Sequence, residues 1–269
     1  MPELPEVETI ACGLANAMVG KTVDSASVLR PVVSPEPPRF VRAIAGERIA
    51  AVSRRGKFVV FALASRRQLV VHLRMTGRLI VQPAGTTEPE PYTNVLLSFE
   101  DGTRLCFADV RRFGRMRLFE PEEEWASEVG LEPLSTELSF ERFSGLLAGR
   151  TTPIKVFLLD QRRIAGIGNI YACEALWEAR IRPSRPAGTL SKAARQRLLV
   201  SIQTVLRRAI EMRGTSIDDY VDEQGARGGF QNALDVYGKR GHGCSRCERP
   251  IVRTVLAGRG TWWCRTCQR

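Results

Sequence analysis

Two groups of residues in this chain have the types and spacing for chemistry, and they lie at opposite ends of it. Cys244-Ser-Arg-Cys247 and Cys264-Arg-Thr-Cys267 are two C-x-x-C pairs with sixteen residues between them. Each pair can place two thiolates on one tight turn, and two such turns joined by a hairpin bring four sulfurs into the tetrahedron that zinc prefers. Residues 251–255, then Gly258-Arg259-Gly260, then Thr261-Trp262-Trp263 read as strand, glycine turn and strand, with Arg259 projecting from the tip. Four sulfurs leave no open position, so one structural Zn2+ is expected, with disulfide or redox pairs as the competing readings. The other end begins Met1-Pro2-Glu3-Leu4-Pro5-Glu6. With Met1 removed, Pro2 becomes a free secondary amine whose reference pKa, near ~8 against ~10.4 for lysine, leaves it far richer in the nucleophilic form at neutral pH. Attack on a sugar C1′ gives an iminium with no N–H to lose, a strong electron sink, and Glu3 lies next in sequence to move protons. An ordinary start sequence reads the same way, so this signal is weak alone.

The elements that must position these groups fall into two sets. Val7, Ile10, Leu14 and Met18 repeat at helical spacing, so a helix is expected over 5–19, with Pro5 in its first turn and Gly20 at its exit. Short β-like runs follow at 48–53, 58–63, 69–73, 78–82, 94–99, 103–108 and 116–119. Strands in such a series indicate a sandwich or barrel. The acidic, proline-containing segment 120–138 reads as a linker. Beyond it the period turns helical. Ser139 can cap a short helix ended by Gly149. Ser191 can cap a long one with Leu198, Ile202, Val205, Ala209 and Met212 on one face and Gly214 at its end. Residues 215–235 are polar and glycine-rich, long for a connection without structure of its own, which hints at a functional loop.

Composition bounds the function. The chain has 269 residues and a net charge of +11. Residues 1–149 carry 18 basic and 19 acidic side chains, whereas residues 150–269 carry 22 and 10. A basic half of this kind fits a polyanion partner, although a solvated surface reads the same. No apolar run has membrane-spanning length and the start lacks a basic leader, so a cytoplasmic protein with no membrane partner is expected. Cys12, Cys106 and Cys173 read as small buried residues, and the odd cysteine count argues against a disulfide scaffold.

Taken together, the segments 1–9 and 258–264 resemble the formamidopyrimidine-DNA glycosylase family (the Fpg/Nei enzymes). So do Arg55-Gly56-Lys57, His72-Leu73-Arg74-Met75-Thr76-Gly77, Asp109-Val110-Arg111-Arg112-Phe113-Gly114 and Gly166-Ile167-Gly168-Asn169-Ile170-Tyr171, in the family's order across the whole chain. The resemblance implies a two-domain α+β fold: an N-terminal β-sandwich with flanking helices, and a helical domain with a helix–two-turn–helix motif and a four-cysteine zinc-finger β-hairpin. It divides the chain at 1–132, 133–237 and 238–269. It also implies base-excision repair by a bifunctional glycosylase and abasic-site lyase. The partner is then double-stranded DNA carrying oxidised purines (8-oxoguanine, formamidopyrimidines) or abasic sites, and the expected state is a monomer acting at the nucleoid.

By the same resemblance Pro2 is the nucleophile, Glu3 the proton carrier, Lys57 a DNA contact at the lesion and Glu6 an active-site carboxylate. Asn169, at a helix start, and Arg259 grip the phosphates around the lesion. Lys155, Tyr237 and His72 add DNA contacts. Met75, Arg111 and Phe113 fill the gap left by a flipped nucleotide. Val110 departs from the proline common at that position in relatives. Residues 215–235 stand where the family's loop covers the extruded base, with Thr215, Ser216 and Tyr220 as candidate contacts. Two alternatives remain: an endonuclease VIII-like enzyme for oxidised pyrimidines, and a non-catalytic zinc-dependent DNA-binding protein, which leaves Pro2-Glu3 unexplained.

Overall fold

A computed structural model of the chain describes residues 1–31, 37–217 and 220–269. They form two compact units, Met1–Ser127 with Met212–Gly229, and Glu128–Glu211 with Phe230–Arg269.

The first unit is a sandwich of two four-stranded antiparallel sheets. One has the order β1 (Val23–Val28), β6 (Thr93–Phe99), β7 (Arg104–Asp109), β5 (Gly77–Gln82). The other runs β2 (Ile49–Arg55), β3 (Phe58–Leu63), β4 (Gln68–His72), β8 (Arg115–Phe119). Alternation sends every second side chain inward. The register sets Val59 against Val71 and Phe61 against Leu69 in one sheet, and Val95 against Phe107 and Leu97 against Leu105 in the other, all of them buried. Helix α1 (Leu4–Met18) adds Val7, Ile10, Ala11, Leu14 and Met18 to the same core. The helical spacing of those residues is thus the reason the chain's first residues are held against the sandwich.

Sequence and structure differ here in particular places. Strand β1 is an edge strand that buries only Val23, and helix α2 (Pro37–Ile44) buries only Phe40 and Ile44, so neither has the apolar repeat that reveals an element. Cys106 and Cys173 are buried as expected, but Cys12 is exposed, because it lies on the solvent side of α1, away from Ile10 and Leu14.

In the second unit Ser139 caps α3 (Phe140–Leu147) by accepting the Arg142 N–H at 3.3 Å, and Ser191 accepts the Ala194 N–H at 3.3 Å where α6 (Lys192–Glu211) begins. Met212, expected on the buried face of α6, is exposed, since the helix ends one residue before it. Between α4 (Ile154–Leu158) and α5 (Asn169–Glu178) the chain makes two turns, the helix–two-turn–helix arrangement. Gln161 braces the second turn, accepting the Gly166 N–H at 2.9 Å and donating to the Ile167 carbonyl at 2.7 Å. The unit ends in the hairpin β9 (Val252–Leu256) and β10 (Arg259–Trp263). Ala257 and Gly258 both have positive φ, the two-residue turn that suits strand twist. Arg259 therefore sits one residue past the tip, paired with Leu256 and exposed. No described helix is long and apolar enough to cross a membrane.

Phe107 is fully buried in the sandwich core. Phe107→Ala should destabilise the first unit by about 3–5 kcal/mol, read as a lower denaturant midpoint, while near-wild-type stability would show that the sheets are not joined by this core.

Candidate active site and nucleic-acid interface

Pro2 is buried immediately ahead of α1, and Glu3 is the helix N-cap. A reciprocal capping box fixes both residues: the Glu3 side chain accepts the Glu6 N–H, and the Glu6 carboxylate accepts the Glu3 N–H at 2.7 Å. The other Glu6 oxygen accepts the Thr215 N–H at 2.7 Å. Glu6, 2% exposed, thus ties the start of the chain to the Met212–Gly229 segment. Lys57 follows Gly56 in the two-residue turn between β2 and β3, where Gly56 takes a φ of 56° that glycine reaches without strain. A lysine on such a turn is ordinarily solvated, yet Lys57 is 6% exposed. His72 is held neutral: burial, then the positive charges of Arg74 and Lys57, lower its pKa to about 3. Its Nδ1 accepts the Arg74 N–H at 3.0 Å and its ring meets Phe58 edge-on.

Met75 and Phe113 are 42% and 50% exposed, so neither is a core residue. The Arg111 guanidinium lies 4.8 Å from the Phe113 ring centroid. One buried carboxylate organises both loops. Asp109 Oδ1 accepts from the Thr76 hydroxyl at 2.5 Å and the Arg111 N–H at 3.1 Å, while Oδ2 accepts the Gly114 N–H at 2.7 Å. Sequence reasoning assigned Asp109 no role; its usable signal is an acid two residues ahead of a backbone N–H in a short glycine-ended loop. Next to these loops is a cleft of about 370 Å³ lined by Thr76, Arg78, Tyr92, Val110, Tyr220, Val221 and Arg227. Of the expected base contacts, Tyr220 contributes to the sandwich core, with its hydroxyl donating to the Arg213 carbonyl at 3.0 Å. Burial, then the charge of Glu6, pushes its phenol upward. Thr215 and Ser216 are both 4% exposed. Asp218 and Asp219 of the same loop lie outside the described residues.

In the second unit Asn169 opens α5 behind the N-cap Gly168, where the positive end of the helix dipole favours an anion. Lys155, expected to contact DNA, is fully buried. Its ammonium donates to Asn169 Oδ1 at 2.6 Å, the Gly260 carbonyl at 3.0 Å and Thr261 Oγ1 at 2.8 Å. It therefore joins the start of α5 to the strand that carries Arg259. The Tyr237 ring lies tilted against Trp262, centroids 4.4 Å apart, and Glu174 accepts the backbone N–H groups of Asp235, Val236 and Tyr237.

The sulfurs of Cys244, Cys247, Cys264 and Cys267 lie within 4.8 Å of one another, with pairs at 3.5 and 3.9 Å. A tetrahedron of Zn–S bonds near 2.3 Å has edges of about 3.8 Å, so the set fits one structural zinc ion. Trp177 donates its indole N–H to Cys244 at 3.4 Å. Against the burial that opposes ionisation, this donor and the Arg246 and Cys247 N–H groups bring Cys244 down to about 7.

A β-sandwich, a helix–two-turn–helix domain and a four-cysteine finger in one chain define a class of DNA-repair glycosylases. Family models match in series: the formamidopyrimidine-DNA glycosylase N-terminal domain over residues 1–116, the formamidopyrimidine-DNA glycosylase H2TH domain over 129–221, and the zinc finger found in FPG and IleRS over 241–269. The formamidopyrimidine-DNA glycosylase of Heliobacterium modesticaldum is 42% identical over 277 residues, covering 100% of both chains. The crystal structure of MutM (Fpg) from Thermus thermophilus matches with a TM-score of 0.89 and 41% identity, covering 99% of this chain and 98% of that one. A complex of a Lactococcus lactis Fpg mutant with DNA containing Fapy-dG matches with a TM-score of 0.92 and 35% identity, covering 100% of both. The chain belongs to the formamidopyrimidine-DNA glycosylase family.

Two outcomes follow from these contacts. Asp109→Asn presents an amide N–H to the Gly114 N–H, leaving a buried donor unpaired. It should cost about 1–3 kcal/mol and weaken binding to abasic duplex DNA, whereas wild-type binding and melting would remove Asp109 from the organisation of Met75 and Phe113. Cys247→Ser should abolish stoichiometric zinc and DNA binding while the sandwich keeps its β-type circular dichroism. Loss of that signal would contradict independent folding of the two units.

Proposed function

We propose that this chain removes oxidised purines, formamidopyrimidines and 8-oxoguanine, from duplex DNA and then cleaves the strand, acting as a monomer on the DNA of the cytoplasm. The observation that carries the reading is the placement of Pro2, buried beside the capping box that fixes Glu3 and Glu6. With Met1 removed, the Pro2 nitrogen attacks C1′ of the damaged nucleotide. The C1′–N9 bond breaks and the base leaves with its electron pair, taking a proton. Glu3 supplies the proton that opens the deoxyribose ring. The resulting iminium makes the C2′ proton acidic. Its loss expels the 3′ phosphate, and a second elimination expels the 5′ phosphate, the β,δ sequence.

The remaining residues hold the DNA for this chemistry. Met75 and Phe113, both exposed, replace the stacking of the flipped nucleotide, and Arg111, beside the Phe113 ring, bonds the base left opposite. The cleft bounded by Thr76, Val110 and Val221 takes the extruded base. Asn169, Arg259 and Tyr237 face phosphates, and Lys57 contacts the strand near Pro2. His72 serves by shaping its loop, and Lys155 by positioning Asn169 and the Arg259 strand. In domain terms the division at 1–132, 133–237 and 238–269 assigns chemistry to the first part and backbone grip to the other two. Cys244, Cys247, Cys264 and Cys267 would hold the finger's zinc ion, which would supply rigidity to the hairpin, its four thiolates leaving no position for substrate.

Borohydride reduction during reaction with damaged duplex traps an iminium covalently. Wild-type protein should be trapped, Pro2→Gly should lose most trapping, and Glu3→Gln should lose base removal from intact lesions. Full activity in either variant, or Met1 retained in fully active protein, would overturn the assigned role. Faster excision of thymine glycol than of 8-oxoguanine would favour the pyrimidine-specific alternative.

A further inference from the structure

We propose that Glu223 is a positioning residue: it seats the 220–229 turn on the first helix, in the notch at Gly13, and does so only while its carboxyl is protonated. The functional consequence rests on the reading above, that this loop borders the extruded base. The turn itself is rigid. Asp222 Oδ1 accepts the N–H groups of Gln224 and Ala226 at 3.0 and 2.8 Å, and Asp222 Oδ2 pairs with Arg213 at 2.5 Å. This rigidity sends Glu223 inward, where its carbonyl accepts the Val81 N–H of β5 at 3.0 Å.

The Glu223 side chain, 3% exposed, lies against α1, and a Cβ added at Gly13 would overlap its carboxyl. Glycine weakens a helix interior, so its presence in the middle of α1 has a specific use: it makes room for this carboxyl. Among the described residues Glu223 Oε2 is buried without a hydrogen-bond partner. A buried carboxylate oxygen left unpaired is unfavourable, and the neutral acid avoids that penalty.

The charged and titratable groups around Glu223 come from three elements. Asp222 and Arg213 are on its own loop, Cys12 and Glu8 are on α1, and Arg54 of β2 pairs with Glu8 at 2.6 Å. Burial raises the Glu223 carboxyl, with Asp222 adding to it and the residue's own N–H and Arg213 opposing. Because the seated state has the higher pKa, seating is at full strength below the ordinary glutamate range. It weakens as pH rises through the raised value. The same loop reaches Glu6 through the Thr215 N–H and closes on itself where Ser216 Oγ accepts the Gly228 N–H at 2.9 Å. Release at Glu223 therefore loosens the contact that fixes the backbone beside Pro2.

Hydrogen exchange of the full-length, DNA-free protein between pH 5 and 8, corrected for the intrinsic rate, tests this. Protection over 220–229 should fall steadily as pH rises through this range. Glu223→Gln, uncharged at every pH, should keep the turn protected throughout. Gly13→Ala should loosen it at every pH while leaving α1 as protected as before. Wild-type protection that does not change with pH, or a Gln variant that follows the wild type, overturns the proposal. Borohydride trapping on the same preparations tests the glycosylase reading separately, since exchange is read without DNA.

Discussion

The Glu6 carboxylate accepts one backbone N–H from Glu3 and another from Thr215, partners on either side of it that lie far apart in the chain. Charge-assisted bonds of this kind contribute about 1.5–3 kcal/mol each, and an unpaired buried donor costs a comparable amount, so neither partner can leave cheaply. The contact is geometric as well as energetic. A side chain on the first turn of α1 settles both where the chain's first residues stop and where the Met212–Gly229 segment begins its course over the sandwich. Gly214 makes the approach possible, since a Cβ there would stand 2.8 Å from the Glu6 carboxylate and its φ of 79° suits glycine. The rest of the first unit's site inherits its position from this contact: Tyr220 in the core, Ser216 against Gly228, and the cleft edge at Tyr220 and Val221.

The same device recurs wherever the molecule needs precision. Asp109 arranges the two loops bearing Met75 and Phe113, Glu174 gathers three consecutive N–H groups leading to Tyr237, and Lys155 collects acceptors from α5 and β10. Each is a buried side chain that gathers several backbone and hydroxyl or amide groups from separate elements. Such pairing avoids the double desolvation of a buried salt bridge while retaining its directionality. The exposed ion pairs, such as Arg162 with Glu128, contribute little by comparison.

What the sequence discloses follows from the range of the interaction involved. Periodic burial is local, so α1, the strands from β2 to β8 and the long helix α6 were legible. The four cysteines were legible because metal geometry constrains spacing directly. Elements with few inward residues, β1 and α2, left no repeat to read. Arg259 was displaced by one position because the two-residue turn uses Ala257-Gly258, not the glycine pair that flanks the arginine. Lys155 and Lys57 look like surface lysines, and only the partners brought around them by the fold reveal that they are buried. Residues 215–229 read as an open glycine-rich loop because their anchors, Glu6 and Gly13, stand at the far end of the sequence.

Lys155 also explains why a metal-stabilised hairpin belongs in this fold at all. Its three acceptors divide between Asn169 on α5 and Gly260 and Thr261 on β10, so the hairpin completes the shell of a charge buried in the helical unit. Asn169 itself donates to the Gly260 carbonyl at 3.0 Å, closing a ring of polar contacts between helix start and strand. Were the hairpin to fray, the ammonium would keep one of these three acceptors, and a buried charge in that state is several kcal/mol less favourable than a satisfied one. The hairpin has too few apolar residues to resist fraying unaided, and four thiolates on one ion remove that freedom. Order at the end of the chain is thereby converted, through one buried amine, into a fixed orientation of the start of α5.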